Sequence, residues 1–231
     1  MTTKRSPLEA GEFSRMSDQE ARWTHKVGHH FANAEQEFSA NKFGFWLFLA
    51  TEILLFGGLF VAYVVFRNMY PQMFLDAHLH LNRTMGAANT VVLICSSFTM
   101  AMAVRAAMLG QKRLQVGFLL GTLAFATTFL VIKYFEYSEK IAHGYLPGLG
   151  YTPHEGDPVN GNIFFGLYFS MTGLHGVHVL AGIIAITWIL VKATKGQFSG
   201  SWYTPVELVG MYWHVVDLIW IYLFLLFYLI G

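Results

Sequence analysis

Charged residues are scarce in this chain of 231 residues. They make up 13% of it, whereas hydrophobic residues make up 55% and aromatic residues 16%. A soluble globular domain carries roughly 25% charged residues. The composition therefore excludes an ordinary soluble domain and indicates a protein of the lipid bilayer.

Other absences narrow the class further. The chain has one cysteine, Cys95, so an internal disulfide is excluded. The formal net charge of +1 argues neither for nor against an acidic partner. We expect no nucleic-acid partner for a chain of this membrane composition. No series of ten-residue segments alternates in hydrophobicity, which disfavours a membrane β-barrel. The apolar runs also show no repeat that can be aligned, so an inverted-repeat transporter finds no support.

What the sequence does contain is long apolar runs. Each has on the order of 20 mostly apolar residues or more, enough to cross a hydrocarbon core about 30 Å thick as a helix. We therefore predict an all-α membrane protein, with a polar tail at residues 1–42 and a transmembrane domain at 43–231. The five predicted spans are at about 43–66, 84–109, 115–135, 163–191 and 208–230.

The basic residues predict the orientation of these spans. Of the fifteen lysines and arginines, eleven fall on the side of the N-terminus and four on the opposite side. Basic residues concentrate on the cytoplasmic side of membrane proteins. We expect a cytoplasmic N-terminus and an outside C-terminus. The four residues on the outside are Arg67, Arg83, Lys133 and Lys140.

Polar side chains embedded in three of the runs are the candidate functional residues. They are Glu52 in the first run, His175 and His178 in the fourth, and His214 and Asp217 in the fifth. Titratable groups are expensive in hydrocarbon, so they usually face other protein and serve a function. The two histidines are three residues apart, as are His214 and Asp217, so each pair can share one helix face.

Two interpretations of the histidines remain open from the residues alone. The spacing suits a haem or metal ligand set completed by another helix. The alternative is hydrogen bonding between helices, with Gly173, Gly176 and Gly182 allowing a neighbouring helix to approach closely.

Glu52 lies about 15 Å along the helix from Lys42 and about 22 Å from Arg67, the nearest basic residues of its own run. A charged carboxylate there would meet a desolvation penalty of several kcal/mol, so we expect the neutral acid. By contrast, Lys133 and Glu136 are predicted to form a charged cluster at the outer end of the third span, with their heads reaching the membrane surface. Residues 137–162 are predicted to form a solvated outer loop.

Several segments, in the same order along the chain, resemble subunit III of the haem–copper terminal oxidases. Residues 46–52 (WLFLATE) resemble the family's span with an embedded glutamate, and Asn89-Thr90 followed by Ser96-Ser97 resembles its next span. The segments 134–137 (YFEY), 172–178 (TGLHGVH) and 212–220 (YWHVVDLIW) match in order and placement. The resemblance covers about 43–231. It is to the five-span bacterial form, in which a polar tail replaces the first two of seven spans.

The resemblance implies an accessory subunit with no catalytic residue, no metal site and no cofactor of its own. Haem and copper would lie on partner subunits of a cytochrome c oxidase that reduces oxygen to water and pumps protons. The implied partners are subunit I in direct contact, subunit II in the same complex, and bound phospholipid. The implied location is the bacterial cytoplasmic membrane, crossed several times.

For the site itself, we expect the embedded residues to be lipid-binding or proton-linked. His214, with Glu52 and His178 deeper, is expected to line a cleft for a phospholipid whose headgroup lies toward the cytoplasm. A polar cluster between helices, without lipid, is the alternative.

Three other functions stay open at this point. The first is a b-type cytochrome anchor that uses His175, His178 and His214. The second is an accessory subunit of a quinol oxidase or a nitric oxide reductase. The third is a proton-coupled carrier that uses Glu52.

Overall fold

The computed structural model describes residue 32 and residues 34–152, 160–198 and 202–229. Long α-helices dominate this part of the chain, and it contains no strand, only an isolated bridge between Tyr145 and Tyr151. The helices are α1 (Ala34–Met69), the short α2 (Pro71–Ala77), α3 (Arg83–Met108), α4 (Lys112–Ala142), α5 (Gly161–Thr194) and α6 (Thr204–Tyr228).

The five long helices confirm the five predicted spans. Each is long and apolar enough to cross a membrane. Local sequence favours the starts of several helices. The Asn82 side chain accepts a hydrogen bond from the Met85 backbone N–H at 3.1 Å and caps the N-terminus of α3. Proline stands in the first turn of both α2 and α6, where a missing N–H costs nothing. The fold class predicted from composition is thus correct.

Two helices extend beyond the spans predicted for them. Helix α1 begins at Ala34, inside the segment predicted as a polar tail, and α4 continues to Ala142 instead of ending at 135. Polar residues precede the apolar run in α1 and follow it in α4, and in both places no proline or glycine breaks the helix. Counting apolar residues therefore underestimated the helices and overestimated the loop at 137–162, of which 153–159 lie outside the described residues.

Helices α3, α4, α5 and α6 pack together as a group, while α1 lies outside it, mainly against α5 and α6. The group is held by aromatic side chains with polar tips. Trp213 and Trp220 of α6 are fully buried. Their indole N–H groups donate to Ser96 at 3.0 Å and to Thr90 at 3.1 Å, both on α3. Each tryptophan thus buries a large apolar ring and satisfies its one donor.

The glycines of α5 differ in what they do. A Cβ on Gly182 would lie 2.5 Å from the Trp213 ring, so a glycine is needed for the contact between α5 and α6. At Gly173 the neighbour, the Tyr137 hydroxyl, would be at an ordinary 3.7 Å, and at Gly176 no heavy atom lies within 4 Å. The predicted close approach is confirmed at Gly182 and not at the other two.

Candidate functional site

The Glu52 carboxylate meets the His178 imidazole where α1 packs against α5. Their Oε2 and Nε2 atoms are 2.6 Å apart, and the two side chains are 17% and 14% exposed. Glu52 thus has a basic partner on another helix. No basic residue of its own helix reaches Glu52, which was the ground for expecting a neutral acid, but His178 reaches it from α5.

The second ring nitrogen of His178 fixes where the protons lie. Nδ1 is 2.8 Å from the carbonyl oxygen of Leu174. A carbonyl only accepts, so Nδ1 must carry a proton. Nε2 then faces Glu52, and a bare nitrogen opposite a bare carboxylate would be repulsive. The contact therefore holds one proton between Nε2 and Oε2, as an acid–imidazole pair or as a carboxylate–imidazolium pair, and the pair is neutral overall in both cases.

Two aromatic side chains enclose this pair. The Phe56 ring contacts the His178 ring edge-on, with centroids 5.2 Å apart. The Tyr212 hydroxyl of α6 donates to the His178 carbonyl oxygen at 3.1 Å. Three helices therefore position one proton-binding pair near the middle of a span, about 15 Å of helix from Lys42.

Polar contacts recur along the attachment of α1. Besides Glu52 with His178, the Lys42 Nζ atom lies 2.8 Å from Glu207 Oε1 at the start of α6. Near the other end of α1, the Tyr63 hydroxyl donates to the Leu226 carbonyl oxygen. These contacts, spread over the length of α1, fix its register against α5 and α6.

The structure places His175 away from this pair. Its side chain is fully buried between Phe129 and Trp220, with ring centroids 5.5 and 5.3 Å away. Neither ring nitrogen has a hydrogen-bond partner among the described residues. The three-residue spacing of the histidines thus does not make one ligand set, because one ring is enclosed in the core and the other is bonded to Glu52.

His214 and Asp217 lie on the side of α6 that faces α3. The His214 Nδ1 atom is 2.7 Å from the Ser97 hydroxyl. Asp217 is buried beside the same serine, and neither carboxylate oxygen makes a well-formed hydrogen bond within the described chain. The contact that the structure shows for His214 is thus an interhelical hydrogen bond to α3, and the lipid cleft with Glu52 and His178 stays a prediction.

A second polar centre was mispredicted. Lys133 and Glu136 are buried, 7% and 0% exposed, so their charged groups face protein and not the surroundings of the chain. Lys133 Nζ lies 2.9 Å from Glu136 Oε2 and donates to the hydroxyls of Tyr168 at 3.1 Å and Tyr228 at 3.0 Å. Tyr228 in turn donates to Glu136 Oε1. The ammonium also lies 4.9 Å from the Trp220 ring.

This polar centre follows from the length of α4. Because the helix runs on to Ala142, residues 133 and 136 lie well inside it and face α5 and α6. Opposite charges at a three-residue spacing were a usable signal, since such residues are neighbours on a helix. The partners Tyr168 and Tyr228 come from distant segments and carried no such signal.

No group of three or more histidine, cysteine, aspartate or glutamate side chains in the described residues is arranged to hold a metal ion. The described residues instead form two polar sites. Glu52 and His178 share a proton at a half-buried contact. Lys133 and Glu136 form a buried ion pair that is hydrogen-bonded to tyrosine hydroxyls.

Comparison with known proteins identifies the family. The profile of the family described as Cytochrome c oxidase subunit III matches residues 18–231. The chain is 30% identical to quinol oxidase subunit 3 of Bacillus subtilis, over 88% of this chain and 96% of that protein. It is 32% identical to cytochrome c oxidase subunit 3 of Thermostichus vulcanus, over 81% and 86%.

A third relative is a longer chain. The haem–copper oxidase subunit I+III of Aeropyrum pernix is 34% identical over 80% of this chain, which spans only 22% of that protein. The family resemblance drawn from the short motifs is confirmed. This multi-pass membrane protein belongs to the cytochrome c oxidase subunit III family, and is an accessory subunit of a haem–copper oxidase.

Proposed function

We propose that the chain is a non-catalytic subunit of a cytochrome c oxidase in a bacterial cytoplasmic membrane. It binds subunit I directly, shares the complex with subunit II, and holds no haem or copper. Its N-terminus lies in the cytoplasm. The Aeropyrum pernix relative supports direct contact with subunit I, because its name assigns subunits I and III to one protein.

The observation that carries this proposal is the exposure of α1. Only 17% of its most apolar stretch is buried, against 39% for α6. A Cβ on either Gly57 or Gly58 would meet no heavy atom within 4 Å. Small residues on an unoccupied helix face allow another transmembrane helix to pack closely. Such a face is expected in a subunit that packs against a partner helix. We assign the open face of α1 to contact with subunit I.

The absence of a redox centre is supported by the two histidines of α5. A haem needs axial ligands placed across a cavity. His175 is instead enclosed by aromatic rings, and both nitrogens of His178 are within hydrogen-bonding distance of acceptors.

The Glu52–His178 pair is the proton-linked site in this proposal. It holds one proton inside the membrane, and it is partly accessible, so it supports proton uptake by the oxidase without touching the reacting oxygen. Bound phospholipid lies along the part of α1 that subunit I leaves uncovered. His175, His214 and Asp217 act through helix packing, so proton uptake should be most sensitive to substitution of Glu52 and His178.

The test uses the whole oxidase, purified with and without this chain. We expect the same initial rate of oxygen consumption per haem and faster inactivation during turnover when the chain is missing. Glu52→Gln in the assembled complex should keep oxygen reduction and weaken proton pumping or durability. Complete loss of oxygen reduction in the assembled variant would contradict an accessory role. Faster reaction with quinol than with cytochrome c would assign the complex to the quinol oxidases.

A further inference from the structure

A short cover packs over the end of α1. It consists of α2 and the 3₁₀ turn His78–His80, and it leads from the end of α1 to the start of α3. Phe74 of this cover is fully buried. Its ring centroid lies 5.2 Å from that of Tyr63 on α1 and 5.4 Å from that of Phe164 on α5. The cover therefore holds the end of α1 against α5.

A hydrogen bond ties this cover to α3. His78 is 4% exposed, and its Nε2 atom lies 2.7 Å from the Nη2 atom of Arg83 in the first turn of α3. A guanidinium group only donates and keeps its charge in proteins, so Nε2 must be the acceptor and carry no proton. The proton of the neutral ring is then on Nδ1. The hydrogen bond thus requires an uncharged His78.

The charge that faces His78 is positive. Arg83 reaches it from α3, and the N-terminus of that helix adds the positive end of its dipole. Within the described residues, no carboxylate lies within ion-pair distance of either side chain. The His78 Nδ1 atom is buried and has no hydrogen-bond partner there either. Nothing near the ring would therefore stabilise a second proton on it.

The other polar groups of the cover point to different partners. The Asp76 carboxylate accepts a hydrogen bond from the Gln72 side chain at 3.2 Å. The His80 Nδ1 atom lies 3.2 Å from the Tyr145 hydroxyl in the loop after α4. From α1 and α5, the cover is met at Phe74 by aromatic rings.

We propose that His78 and Arg83 form an acid-sensitive latch, which keeps the cover closed while His78 is neutral and releases it when His78 takes up a second proton. That proton would set one donor against another and bring two like charges into contact. Histidine is the side chain whose charge ordinarily changes between about pH 5 and pH 8. Release exposes the ring to water, where it binds the proton. The equilibrium constant for opening then rises by up to about tenfold for each unit that the pH falls.

The membrane face of the latch follows from the proposed function. With the N-terminus in the cytoplasm, the cover lies on the outer face, which a proton-pumping oxidase makes acidic. The latch would therefore loosen the hold on the end of α1 when the proton load outside is high. This use rests on the proposed orientation, whereas the latch itself does not.

The test is hydrogen–deuterium exchange of the assembled oxidase at about pH 8 and about pH 5.5, with each rate divided by the intrinsic rate of the same peptide at that pH. In the wild type, residues 71–80 should exchange roughly tenfold faster at the acidic pH. In His78→Gln the side-chain oxygen can still accept from Arg83 and does not titrate, so exchange should stay slow at both values. Arg83→Gln removes the facing charge and should weaken the response. His143→Gln is the control, because His143 is an exposed histidine outside the cover, and it should respond like the wild type.

Three results would overturn the latch. One is equal corrected exchange of residues 71–80 at both pH values in the wild type. Another is an acid response in His78→Gln as large as that of the wild type. The third is an acid response of the same size throughout the chain, which indicates general unfolding. Exchange depends neither on the electron donor nor on proton pumping by Glu52→Gln, so failure of the latch is distinguishable from failure of the proposed function.

Discussion

Lys133 and Glu136 form a buried ion pair. Removing one of the two charges should lower the free energy of unfolding more than removing both. Lys133→Met leaves the Glu136 carboxylate in the core, where, among the described residues, the Tyr228 hydroxyl is the one hydrogen-bond donor still in reach. Glu136→Gln leaves the ammonium with two tyrosine hydroxyls and an aromatic ring. Losing one partner of a buried pair typically costs about 3–5 kcal/mol, because the other charge remains desolvated.

The double variant should recover much of that loss. With both charges gone, the amide oxygen of the glutamine introduced by Glu136→Gln can still accept from Tyr228, and the methionine fills the volume of the lysine stem. Replacing a whole buried pair with neutral groups is often nearly neutral. The two single changes would together cost about 6–10 kcal/mol, so a double variant that costs less than either single requires a coupling free energy of at least about 3–5 kcal/mol in the double-mutant cycle.

The assay is the thermal midpoint of the purified complex, together with the level of the chain in membranes. Each single variant should lower the midpoint by on the order of 10 °C, and the double variant by clearly less. Lys112→Met removes an exposed lysine and serves as the control for charge loss. Additive effects in the double variant, or single variants as stable as the control, would refute the reasoning.

Three further predictions follow from local geometry. Gly182→Ala should destabilise the complex by about 1–3 kcal/mol, because its Cβ meets the buried Trp213 ring. Gly176→Ala, the control, should be neutral or slightly stabilising. Thermal midpoints of the two variants test this, and equal effects would contradict the packing argument. A hydrophobic carbodiimide should label Glu52, because this carboxyl is partly exposed and shares a proton, and it should not label the buried Glu136. Peptide mass spectrometry locates the label. A label on Glu136 would show that this side chain is accessible and contradict its burial. The purified chain should show no Soret absorbance, and one haem per chain would instead favour the b-type cytochrome.

The sequence by itself determined the fold class and the family. Lipid offers no hydrogen bonds to a backbone, so long apolar runs must be helices, and five of them could be counted directly. Short ordered motifs such as residues 172–178 were enough to identify the subunit III family. Glu52 and His178 could also be singled out as candidates, since polar side chains are rare inside apolar runs.

Tertiary structure decided which polar groups meet. Two histidines three residues apart have different surroundings, because His175 faces aromatic rings in the core while His178 faces Glu52 on α1. Spacing along one helix gives only the face of a residue, and the partner depends on how the helices pack. The same holds for Lys133: whether it reaches water or lies buried depends on where α4 ends and on tyrosines from α5 and α6.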